Sequence, residues 1–158
     1  MKRKIKILLC GDSMDVGGAE THIVALANAL SNMGHSVTVA ARYGVLCSKL
    51  DRDVDFADVD ITEIKALSRL RELIKIGGFD IVHAHSRRTS FAVDAVRKSL
   101  PRVKVGLVVT AHALYEKSFL KDRFSVWGDE CIAVSRDIER VMTDRYGVPR
   151  SRLTYIPN

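Results

Sequence analysis

Three histidines stand at the predicted carboxyl ends of two neighbouring strands, where imidazole chemistry is useful. His83 and His85 are two residues apart, so their side chains share a face of one strand, and His112 ends the next predicted strand. Three imidazoles at one edge suggest a metal site, but no cysteine or carboxylate joins them at a metal-like spacing, so no metal is expected. His83, deeper in its strand, is interpreted as a buried, hydrogen-bonded structural residue. His85 is left open between that role and ligand contact.

A glycine pair follows the first apolar stretch and opens a predicted helix. Residues 5–10 are typical of a buried parallel strand, and Gly11-Asp12-Ser13 is expected to break it. The free amides of a helix that starts at Gly17-Gly18, together with the helix dipole, favour an anion such as a phosphate. The loop is neither a G-x-G-x-x-G fingerprint nor a P-loop. Two interpretations therefore stay open, an anion-binding helix start or a tight turn that only caps a helix.

Two arginines and a serine also follow predicted strand ends. Arg87 and Arg88 come directly after the strand of His85, where their forked donors suit a phosphate or carboxylate on an acceptor. Paired arginines are also common on plain surface, and that alternative stays open. Ser135 follows a predicted strand at 131–134 and stands where a helix N-cap belongs, at the same edge of the sheet. Arg87, Arg88, Ser135 and His85 are the acceptor-binding candidates.

An aromatic and basic stretch at 115–127 is predicted to be helical. Its aromatic residues alternate with cations, which would suit a membrane surface and a lipid-linked acceptor. Packing against the neighbouring strand is the commoner fate of such a stripe and is the favoured interpretation. The residues concerned are Tyr115, Lys117, Phe119, Lys121, Arg123, Phe124 and Trp127.

Alternating strands and helices must position these residues. Short apolar runs predict strands at 5–10, 36–41, 54–59, 79–84, 103–110, 131–134 and 153–156. Stretches of helical period lie between most of them, one of them capped by Thr62. The pattern predicts an α/β fold, a Rossmann-like three-layer αβα sandwich around a mainly parallel sheet, with the 54–59 strand near an edge. No repeat or linker interrupts it, so residues 1–158 are expected to form one domain.

Composition narrows the function classes. The chain has 158 residues, 47% of them hydrophobic, and no apolar run long enough to cross a bilayer or serve as a signal peptide. Its net charge of +6 favours anionic partners, but the basic residues are scattered and no nucleic-acid recognition motif is present, so nucleic acid is not expected. Three cysteines without a paired spacing indicate reduced thiols. A cytoplasmic protein is predicted, with peripheral contact at the inner face of the membrane as an extension.

Several blocks of sequence occur in the order seen in one enzyme family. They are Gly17-Gly18-Ala19-Glu20 with His22, Leu26-Ala27-Asn28-Ala29-Leu30, Gly34-His35-Ser36-Val37-Thr38-Val39, Asp80-Ile81-Val82-His83-Ala84-His85-Ser86, Thr110-Ala111-His112, Ile132-Ala133-Val134-Ser135, Tyr146-Gly147-Val148-Pro149, and Ile156-Pro157-Asn158. Together they resemble the N-terminal domain of family 4 glycosyltransferases, retaining enzymes of the GT-B fold. The resemblance covers the whole chain.

The resemblance implies roles for particular residues. His112 lies in the Thr-x-His block, whose histidine in that family contacts the transferred sugar near the departing diphosphate. Gly17, Gly18 and Glu20 would form the loop that meets the donor diphosphate and the acceptor. The substrate would be a nucleotide diphosphate sugar, and no other cofactor is expected. The acceptor would be a sugar, a glycan or a lipid-linked molecule.

The resemblance also implies a second domain. Family members bind the nucleotide sugar mainly through a C-terminal Rossmann-like domain with an E-x7-E motif, and no glutamate pair here has that spacing. Residues 1–158 are therefore predicted to be the N-terminal, acceptor-side domain, inactive without the C-terminal domain. The complete enzyme would serve cell-surface glycan or glycolipid synthesis. Two alternatives remain, a non-catalytic subunit that binds an acceptor or partner, and a stand-alone nucleotide-binding Rossmann domain.

Overall fold

The computed structural model describes residues 3–115 and 122–157. Over these residues a seven-stranded sheet has the order β3-β2-β1-β4-β5-β6-β7, and every pair of neighbouring strands is parallel. The strands are β1 (Lys6–Ser13), β2 (Ser36–Arg42), β3 (Val54–Asp58), β4 (Ile81–Ala84), β5 (Gly106–Ala111), β6 (Glu130–Ala133) and β7 (Leu153–Tyr155). The parallel α/β fold and the edge position of β3 are confirmed.

Helices cover both faces of the sheet. They are α1 (Gly18–Asn32), α2 (Ala66–Gly77), α3 (Arg87–Ser99) and α4 (Arg136–Asp144), with short 3-10 turns at Val45–Lys49 and Arg150–Arg152. Alternate side chains of β1 enter two separate cores because successive strand residues point to opposite faces. Ile7 and Leu9 pack in the core beneath α1, whereas Leu8 and Cys10 belong to the core shared by α2, α3 and α4. The result is the predicted three-layer sandwich.

Two local predictions are wrong for identifiable reasons. β1 does not end at Gly11, because it continues to Ser13 through a register shift between Cys10 and Ser13 against β2. Thr62 does not cap α2, which begins at Ala66. Instead the backbone N–H and the hydroxyl of Thr62 both donate to Oδ1 of Asp60, at 2.9 and 2.6 Å. A side chain that can hydrogen-bond locally holds the backbone in a turn and delays the helix.

The predicted helix at 115–127 falls partly outside the described residues. Residues 125–127 are not helical. Within the described ranges no helix is long and apolar enough to span a bilayer.

A matched pair of substitutions on α2 tests the packing of the sandwich. Ile74 is 1% exposed in the core, whereas Ile76 on the same helix is 70% exposed. We expect Ile74→Val to lower the free energy of unfolding by about 1 kcal/mol, since it removes a buried methyl group and leaves a small cavity. Ile76→Val should change it by no more than about 0.5 kcal/mol. Urea unfolding followed by circular dichroism measures both, and equal losses would contradict the assigned packing.

Candidate functional site

The strand order reverses between β1 and β4, and this is where polar side chains converge. Chain segments that leave these two strands diverge to opposite sides of the sheet, which opens a crevice beyond their carboxyl ends. Asp12 lies near the end of β1, and Ser86 is the second residue after β4. The Ser86 hydroxyl donates to Oδ1 of Asp12 at 2.7 Å and so ties the two strand ends together. The same hydroxyl accepts from the backbone of Thr89 in a capping box that fixes the start of α3.

Three imidazoles meet beside this crevice, and we call His22, His85 and His112 the histidine cluster. His22 comes from α1, His85 follows β4 and His112 follows β5. Nδ1 of His85 and Nε2 of His112 are 3.1 Å apart, a hydrogen bond in which one of the two rings is the donor. The ring of His22 stands 4.9 Å from that of His112 and 5.6 Å from that of His85, centroid to centroid. The fold thus gathers residues from three separate elements.

His83 lies beneath the cluster and is structural, as predicted. It is buried, its Nε2 is 2.7 Å from the hydroxyl of Thr110 on the next strand, and its ring centroid is 4.2 Å from that of His85. His85 is itself only 2% exposed, and its Nε2 is buried without a hydrogen-bond partner among the described residues. Both histidines therefore lie under the more accessible His112 and His22.

Burial keeps the imidazoles of His83, His85 and His112 uncharged at neutral pH. Desolvation, with His22 and His112 acting in the same direction, lowers the pKa of His83 to about 3. Desolvation likewise holds the pKa of His85 well below its usual range, and it lowers the pKa of His112 to about 4 with a contribution from His22. A neutral imidazole carries one donor and one acceptor. With Nε2 of His112 engaged by His85, Nδ1 of His112 is left as the acceptor or the donor, according to which ring donates in that pair.

The start of α1 forms the second part of the site. Gly17 is its N-cap residue and supplies no side-chain hydrogen bond, whereas α3 and α4 are capped by the hydroxyls of Ser86 and Ser135. The carboxylate of Glu20 folds back beside Gly17, where an added Cβ would lie 2.2 Å from Oε2. An anion that enters here meets uncapped backbone amides and requires Glu20 to turn aside.

Backbone contacts hold the preceding loop in place. The N–H of Met14 donates to the carbonyl of Arg42 at 2.9 Å, and the N–H of Leu46 donates to the carbonyl of Met14 at 2.9 Å. Gly44 permits this approach, because a Cβ on it would lie 2.4 Å from the backbone of Met14. The helix start is therefore positioned by the neighbouring strand β2.

A cleft of about 430 Å³ lies on the α3 side of the crevice. Its walls combine polar and aromatic side chains, with the exposed rings of Phe91 and Phe124 at 53% and 61% accessibility. Among the described residues it is lined by Asp12, Ser86, Arg87, Arg88, Phe91, Tyr115 and Phe124. A space with cationic, carboxylate and aromatic groups suits an amphiphilic, hydroxyl-bearing molecule.

The two arginines of the cleft differ in their surroundings. The guanidinium of Arg87 lies 4.6 Å from the ring centroid of Tyr115, and its Nη1 is 3.4 Å from both Oδ1 of Asp122 and the hydroxyl of Tyr146. Arg88 is exposed, and it forms no hydrogen bond or ion pair with the described part of the chain. Arg87 thus builds the wall of the cleft, while Arg88 is available to a ligand.

The indole of Trp127 packs behind the side of the cleft that contains Arg87 and Tyr115. Trp127 is 7% exposed, and its ring centroid is 4.8 Å from that of Tyr146 and 6.0 Å from that of Tyr115. The prediction that this aromatic stretch packs inward is confirmed for Trp127 and is wrong for Phe124, which is exposed. The wall of the cleft and the core are therefore one continuous aromatic assembly.

Comparison with known families decides which proteins share this arrangement. Residues 16–158 match the model of Glycosyltransferase Family 4. The chain belongs to this family. The match begins just before the Gly17-Gly18 helix start and takes in the whole histidine cluster, so this glycosyltransferase domain carries both parts of the site within the matched region.

Solved structures show the same fold as the glycosyltransferase domain. A glycosyltransferase from Rickettsia africae superposes with a TM-score of 0.77 at 19% identity over 99% of this chain and 44% of its own. Sucrose-phosphate synthase from Thermosynechococcus elongatus superposes with a TM-score of 0.72 at 13% identity. The match covers 98% of this chain and 48% of the synthase chain. Anabaena HepE, solved in complex with UDP, superposes with a TM-score of 0.72 at 14% identity. The match covers 99% of this chain and 44% of the HepE chain. This chain thus spans less than half the length of these GT-B structures. Comparison with curated proteins gives no match.

The glycosyltransferase domain brings the sequence-predicted residues to one edge of its sheet. His85 and His112 are in contact, Gly17, Gly18 and Glu20 form the helix start, and Arg87 and Arg88 line the cleft. The hydroxyl of Ser135 accepts from the N–H of Ile138 at 3.2 Å as the predicted N-cap of α4. The acceptor-binding roles stay predictions.

Two residues of the site were missed as candidates. His22 was noted only as part of the family blocks, although it falls on the apolar stripe of α1, four residues before Leu26. Asp12 was assigned to a strand-breaking turn, and its contact with Ser86 joins residues 74 positions apart, which no local pattern signals.

Proposed function

We propose that this domain is the N-terminal, acceptor-side half of a retaining glycosyltransferase. The complete enzyme would move a hexose from a nucleotide diphosphate sugar to an acceptor hydroxyl, in cell-surface glycan or glycolipid synthesis. The observation that carries the proposal is the meeting of the histidine cluster and the uncapped start of α1 at the sheet's switch point, within a chain of family 4. The short span of the chain against its structural neighbours supports a missing partner domain.

The helix start would stabilise the leaving group. When the bond between the anomeric carbon and the diphosphate breaks, negative charge grows on the diphosphate oxygens. Once Glu20 has turned aside, the backbone amides at Gly18 and the positive end of α1 would stabilise that charge. Glu20 would leave its position beside Gly17 and become available to a hydroxyl of donor or acceptor.

His112 would hold the transferred hexose. It is the partly accessible member of the pair it forms with the buried His85, so its ring can reach a ligand while His85 fixes its orientation. Because its pKa is lowered to about 4, it is neutral at physiological pH and hydrogen-bonds to a sugar hydroxyl without taking a full proton. We assign it positioning by direct contact, and no enzymic nucleophile is named.

The cleft would bind the acceptor. Arg88 offers an unoccupied forked donor to a phosphate or carboxylate, and Asp12 lines the same space as an acceptor for hydroxyl groups. The exposed rings of Phe91 and Phe124 suit stacking on a sugar or contact with a lipid tail. A sugar, glycan or lipid-linked acceptor with an anionic group fits this set best.

Calorimetric titration of the chain with UDP, UDP-sugars, GDP-sugars and NAD tests the division into halves. We expect no binding, or binding with a Kd of about 1 mM, because the main nucleotide contacts would lie on the other domain. Joining the chain to a nucleotide-sugar-binding domain of family 4 should restore both affinity and transfer. Micromolar binding of one of these ligands by the chain alone would mean a complete nucleotide site and would contradict the proposal.

A further inference from the structure

A second groove lies between α2 and α3, outside the histidine cluster and the cleft. It has a volume of about 330 Å³, and its accessible surface is mostly apolar. The residues that line it are Leu67, Ser68, Arg71, Ala95, Val96 and Ser99. Leu67 is the largest apolar side chain among them and is 48% exposed, although most leucines of a folded domain lie in its core. A mostly apolar depression on the outside of a helical layer is a candidate binding place for a hydrophobic group.

One face of α3 joins this groove to the cleft. Arg88 and Phe91 line the cleft, whereas Ala95 and Ser99 line the groove. All four are exposed and follow one another at intervals of three or four residues, so they share one side of the helix. At a rise of 1.5 Å per residue, this side is about 16 Å long from Arg88 to Ser99. We call these four residues, together with Leu67 of α2, the α3 track.

The chemistry of the track changes along its length. At the sheet edge, the guanidinium of Arg88 and the carboxylate of Asp12 line the cleft. Away from that edge, carbon atoms form most of the accessible surface, with Phe91 at 53% and Leu67 at 48% exposure. A cation followed by a long apolar surface is complementary to an amphiphile with an anionic headgroup and a hydrocarbon chain.

A long glycan would find few hydrogen-bond partners in the groove. The hydroxyl of Ser68 donates to the carbonyl of Lys65 at 2.8 Å, and that of Ser99 donates to the carbonyl of Val96 at 2.7 Å. Each serine thus uses its single donor within its own helix. Among the described residues that line the groove, Arg71 alone carries a charge. Sugar hydroxyls that leave water need partners throughout, so this lining favours a hydrocarbon chain.

We propose that the α3 track binds the hydrocarbon chain of a lipid-linked acceptor, whose anionic headgroup lies in the cleft against Arg88. The headgroup would present a hydroxyl to Asp12 at the sheet edge, and the chain would run over Phe91 and Ala95 to Leu67. This inference rests on the proposed acceptor role of the cleft. It narrows the acceptor from a sugar, a glycan or a lipid-linked molecule to the last of these three classes.

Calorimetric titration of the chain with hexyl, octyl and decyl phosphate, each below its micelle concentration, tests the track. We expect the Kd to fall about twofold for each added methylene, or about 16-fold from hexyl to decyl phosphate. A fully buried methylene would strengthen binding about fourfold, and the open track covers the chain on one side only. Equal affinities across the series would overturn the proposal.

Ala95→Glu distinguishes the track from general adhesion of alkyl chains. It places a carboxylate midway along the track, at an exposed helical position that tolerates glutamate. Binding of decyl phosphate should weaken at least about 10-fold, because burying a charge beside the chain is costly. Binding of hexyl phosphate should change by less than about threefold, since salt screens the distant headgroup. Circular dichroism checks that the variant is folded.

Ala25→Glu is the matched control. Ala25 is exposed on α1, which covers the other face of the sheet, and the change in chemistry is the same. This variant should bind the whole series as the unchanged chain does. A decyl phosphate affinity that Ala95→Glu leaves unchanged, or that Ala25→Glu lowers equally, would overturn the proposal because the chain would then be bound elsewhere.

Arg88→Gln tests the headgroup end of the track. It should weaken binding of all three alkyl phosphates by a similar factor of about 5 or more, since a charged donor to the phosphate is lost. Binding that depends on Arg88 but not on chain length would overturn the lipid inference and leave the acceptor cleft in place. Failure of the proposed function would appear separately, as micromolar binding of a nucleotide sugar by the unchanged chain.

Discussion

Acidification from pH 7 to pH 5 is expected to lower the free energy of unfolding by about 2 kcal/mol through His83 alone. The pKa of His83 is about 3 in the folded protein and near 6.5 when the chain is unfolded. Between these values the unfolded chain takes up a proton that the folded protein does not. Its contribution to stability is therefore complete above about pH 6.5 and is lost progressively as the pH falls toward 3.

The buried ring of His85 and the partly buried ring of His112 act in the same direction. The pKa of His85 lies well below its usual range, and that of His112 is about 4, so both add to the loss over the same interval. We give His112 less weight because it is more accessible to solvent, which screens its environment. Since whole domains are stable by only about 5–15 kcal/mol, the combined loss is a large fraction of the total.

Urea unfolding at pH 7, 6 and 5 measures this dependence. The interval ends at pH 5 so that carboxylates with a lowered pKa, such as Asp129, do not yet contribute. His83→Gln should remove about 2 kcal/mol of the change in stability between pH 7 and pH 5, an average of about 1 kcal/mol per pH unit. A stability that does not vary between pH 7 and 5 would show that these rings are not buried as neutral groups.

The second large effect is a loss of glycosyl-transfer activity when His112 is replaced. In the proposed two-domain enzyme, His112→Ala is expected to lower kcat by about 100-fold or more, because the contact that positions the transferred hexose is lost. KM for the donor should change less, because the nucleotide would be bound by the other domain. Steady-state transfer with a nucleotide diphosphate sugar measures both constants, with circular dichroism to confirm folding.

The pH profile tests the neutral state of His112, and a control variant separates its contact role from a structural one. Because the pKa of His112 is about 4, activity of the unchanged enzyme should show no titration of this residue between pH 6 and 8. His35→Ala, far from the site, should retain full activity. An unchanged kcat in His112→Ala would contradict the proposed contact, and a matching loss in His35→Ala would indicate a general loss of structure.

Much of the fold could be predicted because the information is local. Apolar runs identified the strands of the parallel sheet, and Gly34, Gly78 and Gly147 follow helices with φ of +90°, +62° and +64°, as expected of glycine at these positions. The edge position of β3 followed from its interspersed aspartates. These signals depend only on residues that are close in sequence, so they can be interpreted without the tertiary structure.

The composition of the site was harder to predict from the sequence, because it depends on contacts between residues that are far apart in the chain. His22 and His112 are brought together only when α1 packs on the sheet, and His22 replaced His83 in the cluster that the sequence suggested. Arg87 and Arg88 look equivalent in sequence. Tyr115, Asp122 and Tyr146 distinguish them, and all three lie in other parts of the chain.

The single tryptophan of the chain gives the domain an internal optical reporter. Trp127 is buried behind the wall of the cleft, between Tyr115 and Tyr146. Its fluorescence should shift to longer wavelength on unfolding as the indole becomes hydrated. Selective excitation of this one residue therefore reads the state of the cleft wall alone. An acceptor that displaces Tyr115 would change the emission while the far-ultraviolet circular dichroism stays constant, so occupancy of the cleft can be followed without a label.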